Sequence, residues 1–183
     1  MSRIPTPATI ADTPDASQPL LNAVKASLGS VPNLFRLIGN SPAALEGLLG
    51  LQGALGKGTL NPATRERIAL AIANYNGCSY CNSAHSFLAK NVAKLDEAEI
   101  EASRQGRSTD ARANAAVDFA LKVARERGRV SDADVAAVRL AGYSDAELVE
   151  IVGHVALNTL TNYVNEVFGT EIDFPVVEAA RAA

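Results

Sequence analysis

The residues of this chain best suited to chemistry are two cysteines three positions apart, Cys78 and Cys81, and a histidine four positions beyond the second, His85. A disulfide between cysteines so close together closes a tiny loop and restricts the unfolded chain little, so the pair points to thiol reactivity and not to a structural staple. The thiolate is the nucleophilic form of cysteine. If Gly77 ends one helix, Cys78 falls in the first turn of the next, where free N–H groups and the helix dipole favour negative charge. Thiol pKa values at such positions drop to roughly 3.5–7.5, which makes Cys78 ionisable near neutral pH. Cys81 and His85 stack on one helix face, and the imidazole can take or return a proton at Cys81. Cys78 shares that face but lies roughly 10 Å from His85 along the axis. Spacing therefore assigns His85 to Cys81.

Helices must position these groups, and the periodicity reads as helix nearly throughout, with no convincing alternating strand. Residues 1–15, rich in Pro, Thr and Asp, are expected to form an extended arm ahead of one all-helical domain over 16–183. Helices are expected from Ser17 to about Ser27, within Val31–Ile38, from Ser41 to about Leu55, and from Asn61 to the Asn76-Gly77 break. Further helices follow from Cys78 to about Asn91 and over Asp96–Arg104, Asp110–Arg125, Ser131–Leu140 and Ser144–Phe168. Ser41 and Asn61 each precede a proline at the first helical position. Ser131 with Asp134, and Ser144 with Glu147, have the capping-box form. Gly77 suits the position just past a helix end. Beyond Gly169 the tail contains Pro175 and becomes alanine-rich. A shift of 83 residues places Ile68 on Ile151 and Tyr80 on Tyr163, too few matches to establish a duplication.

If Gly77 turns the chain so that its flanking helices run antiparallel, Glu66 lies about one helical turn from His85. A line Glu66–His85–Cys81–Cys78 would then hold the imidazole and pass protons along it.

The run from Asn61 to Ser86, with Glu66, Cys78, Cys81 and His85 in this spacing, resembles the alkylhydroperoxidase D-like core of the wider carboxymuconolactone decarboxylase-like superfamily. Val31-Pro-Asn-Leu-Phe-Arg36 and Asn162-Tyr-Val-Asn165 are similar to its peroxidase-related subgroup. The resemblance implies an all-α, multi-helix bundle that assembles into homo-oligomers such as trimers or hexamers. It implies a thiol peroxidase or disulfide reductase, with Cys81 peroxidatic, Cys78 resolving, and Glu66 and His85 relaying protons. It also implies reduction by an external thiol, a lipoyl group on a partner protein, and a peroxiredoxin as partner. No bound cofactor is expected. One position departs from the best-known branch, which has a second histidine before the second cysteine where this chain has Tyr80. A phenol, with a pKa near ~10, is a poor base at neutral pH, so the relay implied here is shorter.

A length of 183 residues favours one domain able to bury a core. A net charge of −3, with no block of Lys and Arg, makes nucleic acid and anionic membranes poor partners. The start lacks an apolar secretory segment, and Ile68–Ala73 is too short to span a bilayer. A cytoplasmic location is the resulting expectation, where paired cysteines rarely act as permanent staples. Zinc is the competing reading of Cys78, Cys81 and His85, with His154 as the remaining histidine, but consecutive helical placement suits tetrahedral coordination poorly. No metal is therefore expected. Taken alone, Glu66 would be an ordinary first-turn carboxylate, and Tyr80 divides evenly between a site residue and a packing residue. His154 reads as a satisfied core or interface histidine, and Asn162 and Asn165 as helix–helix hydrogen-bonding residues. Arg65 and Arg67 read as a solvated or intersubunit face. Two other function classes stay open: a non-catalytic thiol sensor, and a decarboxylase or lactone-processing enzyme independent of the cysteines.

Overall fold

The computed structural model describes residues 2–180, so the last three residues of the expected alanine-rich end lie outside the described residues. Within them the chain forms nine α-helices and no strand. These are α1 (Gln18–Leu28), α2 (Asn33–Ile38), α3 (Pro42–Gly56), α4 (Pro62–Tyr75), α5 (Ser79–Asn91), α6 (Glu97–Arg104), α7 (Ala111–Arg125), α8 (Asp132–Leu140) and α9 (Asp145–Phe168).

Side-chain caps set most of the starts. Ser41 Oγ accepts from Ala44 N at 3.3 Å, and Asn61 Oδ1 accepts from Ala63 N at 2.8 Å. Asp96 and Asp110 accept from Glu99 N and Ala113 N at 2.8 and 2.7 Å. Ser131 with Asp134 and Ser144 with Glu147 both close as reciprocal capping boxes. Each such cap satisfies an N–H that the helix itself leaves unpaired. The arm expected over residues 1–15 contains a 3₁₀ turn at Ile10–Asp12, and a second at Asp15–Ser17 crosses its expected end. Hydrogen bonds hold the arm down: Arg36 Nη1 donates to Ala8 O at 2.6 Å, and Arg3 N donates to Phe168 O at 2.6 Å.

Helix α4 is the centre of the bundle. Its run Ile68-Ala-Leu-Ala-Ile-Ala73 is buried on every side, as an all-round apolar helix must be. The alternating alanines allow close approach, and α5, α6, α7 and α9 all pack against it. One apolar cluster joins α4 to α7, α8 and α9 around Ile68, Val117 and Ile151. A second joins α1, α2 and α3 to the cysteine-bearing turn through Leu21, Phe35, Leu45 and Ala73.

Two arginines read from sequence as a solvated or intersubunit face are instead internal fasteners. Arg65 Nη1 donates to the carbonyls of Leu55 and Gly56, at 3.1 and 2.9 Å, satisfying the free end of α3. Arg67 Nε pairs with Glu99 at 2.5 Å, tying α4 to α6. Glu99 is buried and also accepts from Ser108 and Thr109. Burial opposes its ionisation, but these donors prevail and hold its pKa down to about 2. A depressed carboxylate pKa stabilises the fold above the unfolded value and loses that contribution as pH falls through the folded value. The Glu99 contribution is therefore complete above pH 4.5 and disappears as pH falls towards about 2. In urea titrations across that range, Glu99→Gln is expected to flatten the acid limb of the stability curve and to be less stable than wild type at pH 7.

Candidate active site

The site grows out of the turn between α4 and α5. Gly77 adopts φ +72°, which a residue without Cβ reaches at least cost. It allows Gly77 N to donate to Asn74 O at 3.1 Å and Cys78 N to donate to Ala73 O at 2.9 Å. This pattern is a Schellman stop. Cys78, expected in the first turn of α5, lies one position earlier as its N-cap. Its Sγ accepts from Cys81 N at 3.2 Å, taking the part that an oxygen usually plays. Cys81 is then the third residue of α5.

This arrangement reverses the expected ionisation. The Cys78 thiol hydrogen-bonds the Cys81 sulfur, which together with burial pushes the Cys78 pKa strongly up. The same bond lowers the Cys81 pKa to about 7, with the nearby His85 charge and Asn165 helping against burial. Of the two thiols, Cys81 is the one these contacts favour as thiolate. Both thiols are free and both are buried.

His85 follows one turn after Cys81 on α5, and its Nδ1 lies 2.9 Å from Glu66 Oε2 on α4. The antiparallel pairing across Gly77 thus brings Glu66 and His85 together. Burial disfavours the imidazolium, but Glu66 outweighs it, and the Cys81 charge adds to the rise in the His85 pKa. Among the described residues, no three His, Cys, Asp or Glu side chains are grouped so as to hold a metal ion.

Sequence reasoning missed the contribution of α9. Its inward face carries His154, Asn158, Asn162 and Asn165, all buried, at spacings that keep them in one line. Asn165 Nδ2 donates to Cys81 Sγ at 3.2 Å. Asn162 Oδ1 accepts from Asn76 Nδ2 at 2.9 Å. These asparagines join helices, as expected, and one of them also binds the Cys81 sulfur. His154, expected to be a satisfied core or interface histidine, is buried, and its Nε2 has no hydrogen-bond partner within the chain. Burial and the Arg65 charge lower its pKa to about 4, leaving it neutral at pH 7. Polar residues repeating on an otherwise apolar stripe were the available signal.

The tail after α9 was also not foreseen as part of the site. It runs over the start of α5 and is fastened there. Ser79 Oγ donates to Glu178 Oε2 at 2.8 Å, and Val177 N donates to Ser83 Oγ at 2.9 Å. Ala180 N donates to Asn74 Oδ1 at 2.9 Å. Phe174 meets the Tyr80 ring edge-on at 5.8 Å and the Phe87 ring at 6.0 Å. Tyr80 Oη donates to Asp173 Oδ1 at 2.8 Å and accepts from Leu34 N at 3.2 Å. Burial raises the phenol pKa well above its ordinary value. Tyr80 therefore anchors the tail and α2 to α5 and is no substitute for a relay histidine.

Residues 42–126 match the model of the Carboxymuconolactone decarboxylase family. The fold is shared with the alkylhydroperoxidase AhpD core structure of an uncharacterized peroxidase-related protein from Ralstonia eutropha JMP134. The TM-score is 0.84 and identity 28%, over 94% of this chain and 92% of that one. The chain is therefore similar to the Carboxymuconolactone decarboxylase family over its middle part and shares the alkylhydroperoxidase D-like fold over nearly its whole length. An uncharacterized peroxidase-related protein from Silicibacter sp. TM1040 is similar at TM-score 0.80 and 24% identity, over 93% of this chain and 91% of that one. The debrominase Bmp8, as a cysteine-to-alanine variant in complex with 2,3,4-tribromopyrrole, shares the fold at TM-score 0.78. Identity to it is 20%, over 94% of each chain. No curated protein matches. Proteins described by different chemistries thus share this helical frame, and only the site can separate them.

Two outcomes are expected from this geometry. Alkylation of the reduced protein by iodoacetamide should titrate near pH 7 and fall on Cys81, with Cys78 spared, as peptide mass mapping would show. Tyr80→Phe leaves Leu34 N and Asp173 without their shared partner, at a cost of about 1–3 kcal/mol. It should raise amide hydrogen exchange in residues 171–180 and speed Cys81 alkylation.

Proposed function

We propose that this protein is a thiol peroxidase or disulfide reductase that cycles Cys78 and Cys81 to reduce an organic hydroperoxide or a partner disulfide. The observation that carries the reading is the setting of Cys81: its sulfur accepts from Asn165 Nδ2 at 3.2 Å, one helical turn from the His85–Glu66 pair and beside the Cys78 thiol. A two-cysteine cycle needs an attacking thiolate and, within its reach, a second thiol that gives up its proton as it resolves the oxidised sulfur.

In the first step the Cys81 thiolate attacks the terminal peroxide oxygen. The S–O bond forms, the O–O bond breaks, and the sulfur gives two electrons to the peroxide. The leaving alkoxide takes a proton from His85, whose imidazolium Glu66 stabilises, and departs as the alcohol. Cys81 is now a sulfenic acid. Cys78 then attacks that sulfur, the disulfide forms, and the hydroxyl leaves as water with the Cys78 proton. An external dithiol, in this reading a lipoyl group on a partner protein, reopens the disulfide by exchange and is itself oxidised. A peroxiredoxin is the corresponding protein partner, and a reducing cytoplasm is the compartment that suits the cycle. No helix among the described residues is long and apolar enough to cross a membrane.

We take the working form to be a homo-oligomer, a trimer or hexamer. Val149, Val152, Leu160, Tyr163 and Val167 are exposed along one outward stripe of α9, an apolar surface suited to a second copy of the chain.

Hydroperoxide consumption with dithiol donors tests the function. Wild type is expected to turn over, and Cys81→Ser to lose all activity. Cys78→Ser should consume one equivalent and stop, while His85→Ala should slow turnover by about 10²–10⁴-fold. A single stoichiometric oxidation by wild type would favour the sensor reading. Activity on a lactone or carboxylate substrate surviving loss of both thiols would favour the decarboxylase reading.

A further inference from the structure

The attacking sulfur has two unmet polar atoms beside it. Asn162 and Asn165 stand three residues apart on the inward face of α9, 0% and 2% exposed. Asn165 Nδ2 is committed to Cys81 Sγ at 3.2 Å, which leaves its Oδ1, a buried acceptor without a partner. Asn162 Oδ1 is committed to Asn76, which leaves its Nδ2, a buried donor without a partner. Asn162 favours the Cys81 thiolate through this same Nδ2, which therefore faces the sulfur without closing a hydrogen bond to it. Leaving buried polar atoms unpaired is costly, and an active site retains such a cost when a ligand meets it later.

One free donor and one free acceptor suit a single hydroxyl group, which accepts one hydrogen bond and donates another. Such a group arrives at Cys81 during the proposed cycle: the terminal O–H of the hydroperoxide, which becomes the O–H of the sulfenic acid. We propose that Asn162 Nδ2 and Asn165 Oδ1 form a hydroxyl-binding subsite that holds the reacting oxygen at Cys81. Asn162 donates to the oxygen and Asn165 accepts its proton. Asn165 Nδ2 stays on the sulfur, so one carboxamide orients both atoms of the new S–O bond. The inference rests on Cys81 as the attacker of a hydroperoxide.

Its test compares two electrophiles on a Cys78→Ser background, where oxidation stops at the Cys81 sulfenic acid. Iodoacetamide reports the thiolate without bringing a hydroxyl; cumene hydroperoxide brings one. Rates are measured above the thiol pKa, so that every variant is fully ionised, with dimedone trapping to count sulfenic acid. Asn162→Ala is expected to react with iodoacetamide at nearly the wild-type rate and with the hydroperoxide about 10²-fold more slowly. Asn165→Ala should lose hydroperoxide reactivity by a similar factor, and both variants should shift the alkylation profile to higher pH, Asn165→Ala the more because it loses the hydrogen bond to sulfur. Equal slowing towards both electrophiles, or an unchanged hydroperoxide rate, would overturn the subsite. If Asn162→Ala does not fold, Asn162→Ser, which keeps a short donor, should be intermediate in the ratio of the two rates, and an unchanged ratio overturns the proposal equally. Failure of the underlying reading looks different: the Cys78→Ser parent would alkylate normally yet react with the hydroperoxide no faster than a free thiol.

Discussion

One residue closes one helix and opens the next, and the site depends on that economy. Cys78 N completes the Schellman stop of α4, while Cys78 Sγ caps α5 through the N–H of Cys81. The left-handed Gly77 is what permits both with only Asn76, Gly77 and Cys78 between the helices. Because the turn is so short, α4 and α5 are bound to run side by side, and Glu66 meets His85 at 2.9 Å. The cap also fixes Cys78 where its thiol serves Cys81. An oxygen cap at this position would preserve the helix start but could not form a disulfide.

Much of this was readable in the chain. The helix starts followed from Ser, Asn and Asp at cap positions, and the Glu66–His85 contact followed from counting residues on either side of Gly77. What failed is equally physical. Placing Cys78 in the first turn instead of at the cap inverted the ionisation, because the dipole argument ignored the hydrogen bond between the thiols. Arg65 and Arg67 resembled surface charges because their partners, the end of α3 and Glu99, are set by tertiary packing. The site role of Asn165 was hidden for the same reason: a helix–helix asparagine and a sulfur ligand have the same sequence signature.

Helix α9 partly reverses the usual amphipathic arrangement. Its inner face carries a histidine and three asparagines among Leu148, Ile151 and Val155, while valines, a leucine and a tyrosine face outward. Polar residues inside are tolerated where they find partners, and Asn76, Cys81 and the backbone carbonyl of His154 supply them. The helix is therefore both a wall of the site and a source of its polarity.

The tail over α5 has a thermodynamic consequence. Residues 171–180 are docked on Ser79, Tyr80 and Ser83, which flank or lie between the cysteines and His85 in the same turns of helix. Forming a Cys78–Cys81 disulfide removes the sulfur cap from the first turn of α5. Those same turns hold the tail, so tail docking and redox midpoint are linked quantities. Linkage is reciprocal: whatever free energy oxidation takes from docking, docking returns as a bias on the midpoint, so a substitution near residue 175 can retune the thiols without touching sulfur.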